Sequence, residues 1–178
     1  MNPVNAQSKN HDRGIYPPFF NTYIKLITYD NFKLVLRNQL SEAENLFSVK
    51  TEEQSLFRYA EGKWTIKEVL QHIIDTERIF TYRALVFARK DKNTLSSFDE
   101  KEYAANSHAN DRNWEELQEE FQTVRKSTII LFDSFTDDNL STSGKINNYS
   151  LSVMAIAYII AGHVLHHMNI IRERYSEG

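Results

Sequence analysis

The sequence predicts an all-α domain, a four-helix bundle with a long crossover connection, on three observations. Apolar residues recur at three- and four-residue spacings through four segments of roughly 23 to 27 residues each, the period of an amphipathic helix. Five Gly and three Pro among 178 residues are too few for a loop-rich sandwich. Two of the four segments open on helix-capping residues, Thr65 with Glu68 three positions on, and Ser150.

Residues 1–18 are polar and end in Pro17-Pro18, a stiff pair that cannot continue a helix from its N-terminal side, so a flexible leader is expected there and a single domain over 19–178. Helix one is predicted over 20–46, on Phe20, Tyr23, Ile24, Ile27, Phe32, Leu36 and Leu40, with no Gly or Pro before Gly62. Thr51 and Gln54 then form a capping-box pattern for a short turn leading to Glu61-Gly62-Lys63. Helix two follows the Thr65–Glu68 box and runs to Arg89, with Trp64 placed to pack on Val69. The polar stretch 90–112 is long for a plain connection, so it is expected to cross an end of the bundle, with a helical turn or two over 99–103. Helix three is predicted over 113–135, its first turns rich in glutamate where the helix dipole favours carboxylates. Residues 136–149, with Gly144 and paired asparagines, read as a turn region. Helix four, 150–174, is apolar nearly all round and belongs at the centre of the core.

Composition narrows the function. An apolar fraction of 41% with 12% aromatic residues is too rich for a disordered chain. Twenty-one Lys and Arg against 24 Asp and Glu give a formal charge of −3, so no positive surplus draws the chain onto nucleic acid or anionic lipid. The absence of cysteine removes disulfides, thiolate metal ligands and any nucleophilic thiol of the chain's own. No run of about 18 apolar residues stands out and the N-terminus lacks a signal peptide's apolar segment, so a soluble, cytoplasmic protein is expected.

Helix four carries Gly162-His163-Val164-Leu165-His166-His167 among apolar residues. His163 and His167 lie one turn apart on one face, a spacing that lets two imidazoles reach one metal ion; His163 with His166 is the alternative pair. Against six histidines in the chain, about 0.17 such i,i+4 pairs arise by chance, so the pair alone is weak evidence. His72 is the one other histidine inside a strong helix, beside its apolar stripe, whereas His11 and His108 sit in polar loop sequence. The competing reading is of satisfied, structural imidazoles. Three neutral imidazoles would suit Zn, Ni, Fe or Cu and leave open coordination positions.

The strings Gly62-Lys63-Trp64-Thr65-Ile66-Lys67-Glu68-Val69-Leu70-Gln71-His72-Ile73-Ile74-Asp75-Thr76-Glu77-Arg78, Tyr82-Arg83-Ala84-Leu85 and Ala161-Gly162-His163-Val164-Leu165-His166-His167 resemble the DinB/YfiT superfamily of metalloenzymes. Asp99 and Glu173-Arg174-Tyr175 fit the same pattern, so the resemblance spans 20–176. It implies a four-helix bundle of crossover topology and a divalent metal, Zn or Ni before Fe or Cu, held by His72, His163 and His167. For activity it implies either thiol S-transfer, using an external low-molecular-weight thiol such as bacillithiol, mycothiol or glutathione, or metal-dependent hydrolysis. The partners expected are a small-molecule substrate, no nucleic acid and no membrane.

The first reading is therefore a metal that activates an external thiol for transfer to a small electrophile, and the second a metal that activates water. A third is a non-catalytic helical protein acting through oligomer contacts, with aromatic residues of helix one pairing two copies as a homodimer. Catalytic side chains are not named by the sequence. Glu77, near the centre of the helix-two stripe, is a candidate either to orient a ligand histidine or to be a structural acid paired with Arg or Tyr. Arg83 lies about 16 Å along the helix from His72 and is expected to be a structural ion-pair partner. Residues 95–106, Trp114 and Tyr149 are candidates for the mouth of a site.

Overall fold

In a computed structural model, which describes residues 13–175, the long helices are α2 (Phe32–Phe47), α4 (Ile66–Ala88), α6 (Trp114–Asp133) and α8 (Val153–Arg174). Shorter elements fill the connections: a 3-10 turn Pro18–Phe20, α1 (Asn21–Ile24), α3 (Glu52–Ser55), α5 (Glu100–Ala105), a 3-10 turn Ala109–Asp111, and α7 (Asp137–Ser141). An antiparallel hairpin, β1 (Ser143–Ile146) with β2 (Tyr149–Ser152), precedes α8 and pairs Ser143 with Ser152 and Ile146 with Tyr149.

The predicted helix one is broken. The chain leaves helix after Ile24 and re-enters at Phe32, because contacts from elsewhere hold the carbonyls between: Arg13 donates to Ile27 O and Tyr29 O, at 3.0 Å each, and the Tyr158 hydroxyl donates to Asp30 O. Asn31 then caps α2, its side chain accepting from Leu34 N. Of the expected leader, residues 1–12 lie outside the described residues, while 13–18 are docked rather than loose. Ile15 N donates to Ser152 Oγ and Ser152 N to Ile15 O, so this stretch runs against the hairpin.

Helix two matches its prediction closely. Both bonds of the Thr65–Glu68 capping box are made, as are both of the Thr51–Gln54 box at α3. Helix four starts later than predicted: its cap is Ser152, accepting from Ala155 N, because Tyr149 to Ser152 are committed to the hairpin. The region read as a turn thus contains α7 and the hairpin, with Asn147 at φ +48, a conformation asparagine tolerates.

α4 packs on α6 and α8, and α2 packs on the same two, so the consecutive helices α2 and α4 stand diagonally across the bundle. The diagonal steps fall to 48–65 and 134–152. The long stretch 89–113 instead joins neighbours and packs over α4 through α5 and the second 3-10 turn. α8 is long and apolar enough to cross a membrane by length and composition, yet 67% of its most apolar window is buried inside the fold, as befits a core helix.

The core has two apolar halves. One gathers Leu36, Phe80, Phe132 and Ile156; the other gathers Phe47, Leu70, Trp114 and Met168. Along each long helix the residues between the halves are polar or small: Gln39 on α2, Thr76 and Glu77 on α4, Arg125 and Thr128 on α6, Gly162 and His163 on α8. Burying polar groups is tolerable only when they are paired, so this belt has to be explained bond by bond.

Candidate metal centre

α4 carries His72 and α8 carries His163 and His167, and packing of the two helices brings the three rings together. His72 Nε2 stands 2.9 Å from His163 Nε2, and His167 Nε2 stands 3.1 Å from the same atom. All three nitrogens lie within 4.8 Å of one another. The alternative ligand His166 is not part of this group: half-buried, its ring stands against His167 at 5.0 Å and Tyr23 at 5.4 Å. Among the described residues no other group of His, Asp and Glu brings three ligand atoms together in this way.

Two neighbours wall the cluster that the sequence did not single out as site residues. Tyr23 on α1 stands edge-on to His163 at 5.2 Å, and Trp64, expected only to pack on Val69, lies against His72 at 4.9 Å. Tyr23 comes close because residue 162 is glycine. A Cβ there would lie 2.2 Å from Tyr23 O, so any larger residue would push α1 off the cluster.

Burial sets the charge state. It pulls the pKa of His72 to about 4 and of His167 to about 3, with the charges of neighbouring histidines adding to the effect. His163 is driven well below its ordinary value by the same burial and by His167 and His72. Three neutral imidazoles therefore aim ring nitrogens at one another. Each neutral ring has one proton for two nitrogens, so His163 Nε2 cannot serve two close Nε2 neighbours with good hydrogen bonds at once. A cation between the rings removes that conflict, and the 2.9 and 3.1 Å separations approach the roughly 3.3 Å that tetrahedral Zn–N bonds of about 2.0–2.1 Å require. The donor set fits a divalent transition metal.

Glu77 does not orient a ligand histidine. Both its oxygens are taken by Arg125, Nε to Oε1 and Nη2 to Oε2 at 2.8 Å each, and Arg125 also donates to Gln39 Oε1 at 2.9 Å. It is the structural acid of the belt. Gln39 completes the chain by donating to Ala161 O at 2.7 Å on α8. Asp75, two positions before Glu77, accepts from Gln71 and faces a groove with Arg78 and Tyr103, away from the histidines.

His72 and His163 form part of the wall of a 170 Å³ cavity whose other walls include Tyr23, Thr76, Phe80, Arg83, Phe98 and Tyr149. Ser97, Phe98, Glu100 and Tyr149 match the expected mouth, but Trp114 does not: it is buried in the core, its indole donating to Lys50 O. Arg83 is not the ion-pair partner expected. Among the described residues it has no carboxylate within salt-bridge distance, and burial pulls its pKa down from the ordinary guanidinium value.

Comparison with known proteins follows the same lines. The chain is similar in fold to YfiT from Bacillus subtilis, described as a probable metal-dependent hydrolase with an unusual four-helix bundle topology, with a TM-score of 0.73 at 18% identity over 81% of this chain and 83% of that one. It is also similar in fold to a mycothiol-dependent maleylpyruvate isomerase, with a TM-score of 0.67 at 11% identity over 82% of this chain and 61% of that one. No curated protein matches in sequence. The sequence pattern of the DinB superfamily matches residues 35–171, a span containing all three clustered histidines, and the chain belongs to that superfamily.

Proposed function

We propose that this protein is a metal-dependent enzyme that activates an external low-molecular-weight thiol for transfer to a small electrophile. The observation that carries the reading is the convergence of three buried, neutral imidazoles, two of which, His72 and His163, line a cavity. A divalent transition metal bound there supplies Lewis acidity, which favours the deprotonated form of a thiol or a water at neutral pH. The chain's own residues hold that ion and exclude water: Tyr23 and Trp64 flank the rings, and Phe20 and Phe80 line the cavity.

One feature favours the thiol over hydrolysis, while the absence of cysteine is compatible with a thiol drawn from outside without deciding between the two. Hydrolysis benefits from a general base beside the water, yet Glu77 is committed to Arg125 and Glu100 is the single carboxylate among the cavity's lining residues. The likeness in fold to YfiT keeps hydrolysis as the second reading. In the transfer, the thiolate sulfur attacks an electrophilic carbon, a C–S bond forms, the leaving group departs with its electron pair, and the thiol proton goes to solvent.

Metal analysis by inductively coupled plasma mass spectrometry on untagged protein tests the first step. The expected result is about one Zn or Ni per chain, lost in both His72→Ala and His163→Ala. The loaded enzyme should then consume a haloalkyl probe only when a thiol is present. Folded protein that takes up no metal on reconstitution overturns the reading, and turnover of esters without thiol puts hydrolysis in its place.

A further inference from the structure

The cavity beside the histidines is lined by two buried polar groups whose hydrogen-bonding capacity the protein leaves largely unfilled. Thr76 is 5% exposed and its hydroxyl has no hydrogen-bond partner among the described residues. Arg83 is 3% exposed; among the described residues its one hydrogen bond is from Nη2 to Ser96 O at 2.8 Å, while the guanidinium lies over Phe80 and Phe98. The belt arginine shows how this fold treats a guanidinium whose role is purely structural. Arg125 engages both oxygens of Glu77, the Gln39 side chain and Leu36 O. Arg83 has none of that. A buried cation lacking a carboxylate partner, in a cavity open to small molecules, is a cation awaiting an anion.

Helix geometry puts the two groups in line with the reaction centre. From His72, Thr76 lies about 40° and Arg83 about 20° round the α4 axis, so all three share one face, and side chains on a helix lean toward its N-terminus, which for Arg83 means toward Thr76 and His72. Glu100 also lines the cavity, on α5, but makes no ion pair with Arg83.

We infer that the substrate entering this cavity carries a carboxylate, and that Arg83, with Thr76, is the seat that binds it while the reacting end of the molecule faces the histidines. The assignment of which end reacts rests on the proposed reaction at the metal. The carboxylate itself belongs either to the thiol or to the electrophile. Arg83 acts as a specificity-determining residue, planar and able to grip both carboxylate oxygens, and the aromatic walls accept an apolar body between the two ends.

Isothermal titration calorimetry tests this with 3-phenylpropionate against its uncharged isostere 3-phenylpropanamide. Because a carboxylate can also ligate a metal, each titration is run on the full chain both zinc-loaded and chelator-treated. The acid should bind at least tenfold tighter than the amide in both forms. Arg83→Gln should abolish the preference and Arg83→Lys should restore part of it. Thr76→Val should weaken the acid severalfold while leaving thermal stability unchanged or higher, the opposite of what a structural hydroxyl would do. Equal affinities for acid and amide in the chelator-treated wild type, or a preference that survives Arg83→Gln, overturn the inference while leaving the metal untouched. A chain that binds no metal yet keeps the preference overturns the proposed function and upholds the carboxylate seat. Turnover with 3-mercaptopropionate against 2-mercaptoethanol, and with chloroacetate against chloroacetamide, then tells which reactant brings the carboxylate, since the Arg83→Gln loss falls on that reactant alone.

Discussion

Glu77 and Arg125 meet through two parallel hydrogen bonds of 2.8 Å at exposures of 1% and 0%, joining α4 to α6 between the two apolar halves of the core. Gln39 extends the link to α2 and then to α8 at Ala161 O, so one network ties all four long helices two residues from His163. The histidine cluster is therefore built on a polar belt, not on the apolar packing alone.

Breaking the pair from either side should be severe. Glu77→Ala strands a buried guanidinium and Arg125→Ala strands a buried carboxylate, each expected to lower unfolding free energy by about 3–5 kcal/mol. Replacing both with apolar residues of similar size removes the stranded charge, so the double variant Glu77→Leu/Arg125→Met should lose much less than the two singles added together. Urea denaturation of the four proteins measures this; singles within about 1 kcal/mol of wild type would refute the picture.

Arg13 makes a second, more local claim. Its guanidinium satisfies Ile27 O and Tyr29 O and stacks on the Tyr158 ring at 3.9 Å, across the break between α1 and α2. Arg13→Ala should lower stability by about 1–3 kcal/mol by leaving carbonyls without their charged donor. Hydrogen exchange should show residues 25–31 losing protection first.

That break marks where the sequence stops being readable. Helices two and three are legible because their start signals are local: Thr65 with Glu68, and Asn113, whose side chain accepts from Glu115 N and Glu116 N. The interruption at 25–31 is imposed by Arg13 and Tyr158, more than ten and more than a hundred residues away, and only Asn31 advertises it as a capping residue. The three histidines can be picked out by residue type and spacing. What surrounds them cannot: Tyr23 and Trp64 carry no chemical signature, and Arg83 looks like any helical arginine until the structure leaves it without an ion pair among the described residues. Glu77 stands out in sequence as a carboxylate at the centre of an apolar stripe, but its partner Arg125 sits forty-eight residues on and reveals itself only through packing.

Gly162 tests how closely the cover must fit. A methyl group at this position would meet Tyr23 O at 2.2 Å and Tyr23 C at 2.5 Å, backbone atoms that cannot rotate away. Gly162→Ala should cost about 1–3 kcal/mol despite alanine's better helix propensity. It should also loosen zinc binding, because Tyr23 retreats from His163. Unchanged thermal stability and unchanged zinc affinity would show that α1 does not seal the cluster.

The histidines make stability depend on pH with a defined sign. In the metal-free protein burial holds His72 at about 4 and His167 at about 3, whereas an unfolded chain titrates its histidines near 6.5. Between pH 6.5 and about 3 the unfolded state binds protons that the folded histidines refuse, so unfolding free energy falls as pH falls through that window, the His72 contribution levelling off near 4 and that of His167 near 3. For His72 alone the drop from 6.5 to about 4 corresponds to roughly 3 kcal/mol. Melting temperatures of chelator-treated protein should therefore decline from pH 7 to pH 4.5, and His72→Gln should flatten the slope by about one proton. Zinc should steepen it, since the ion needs all three rings neutral and is displaced as they protonate. A metal-free protein equally stable at pH 7 and pH 5 would mean that the rings are hydrated and free to ionise, and that the cluster is not the closed, neutral ligand set described above.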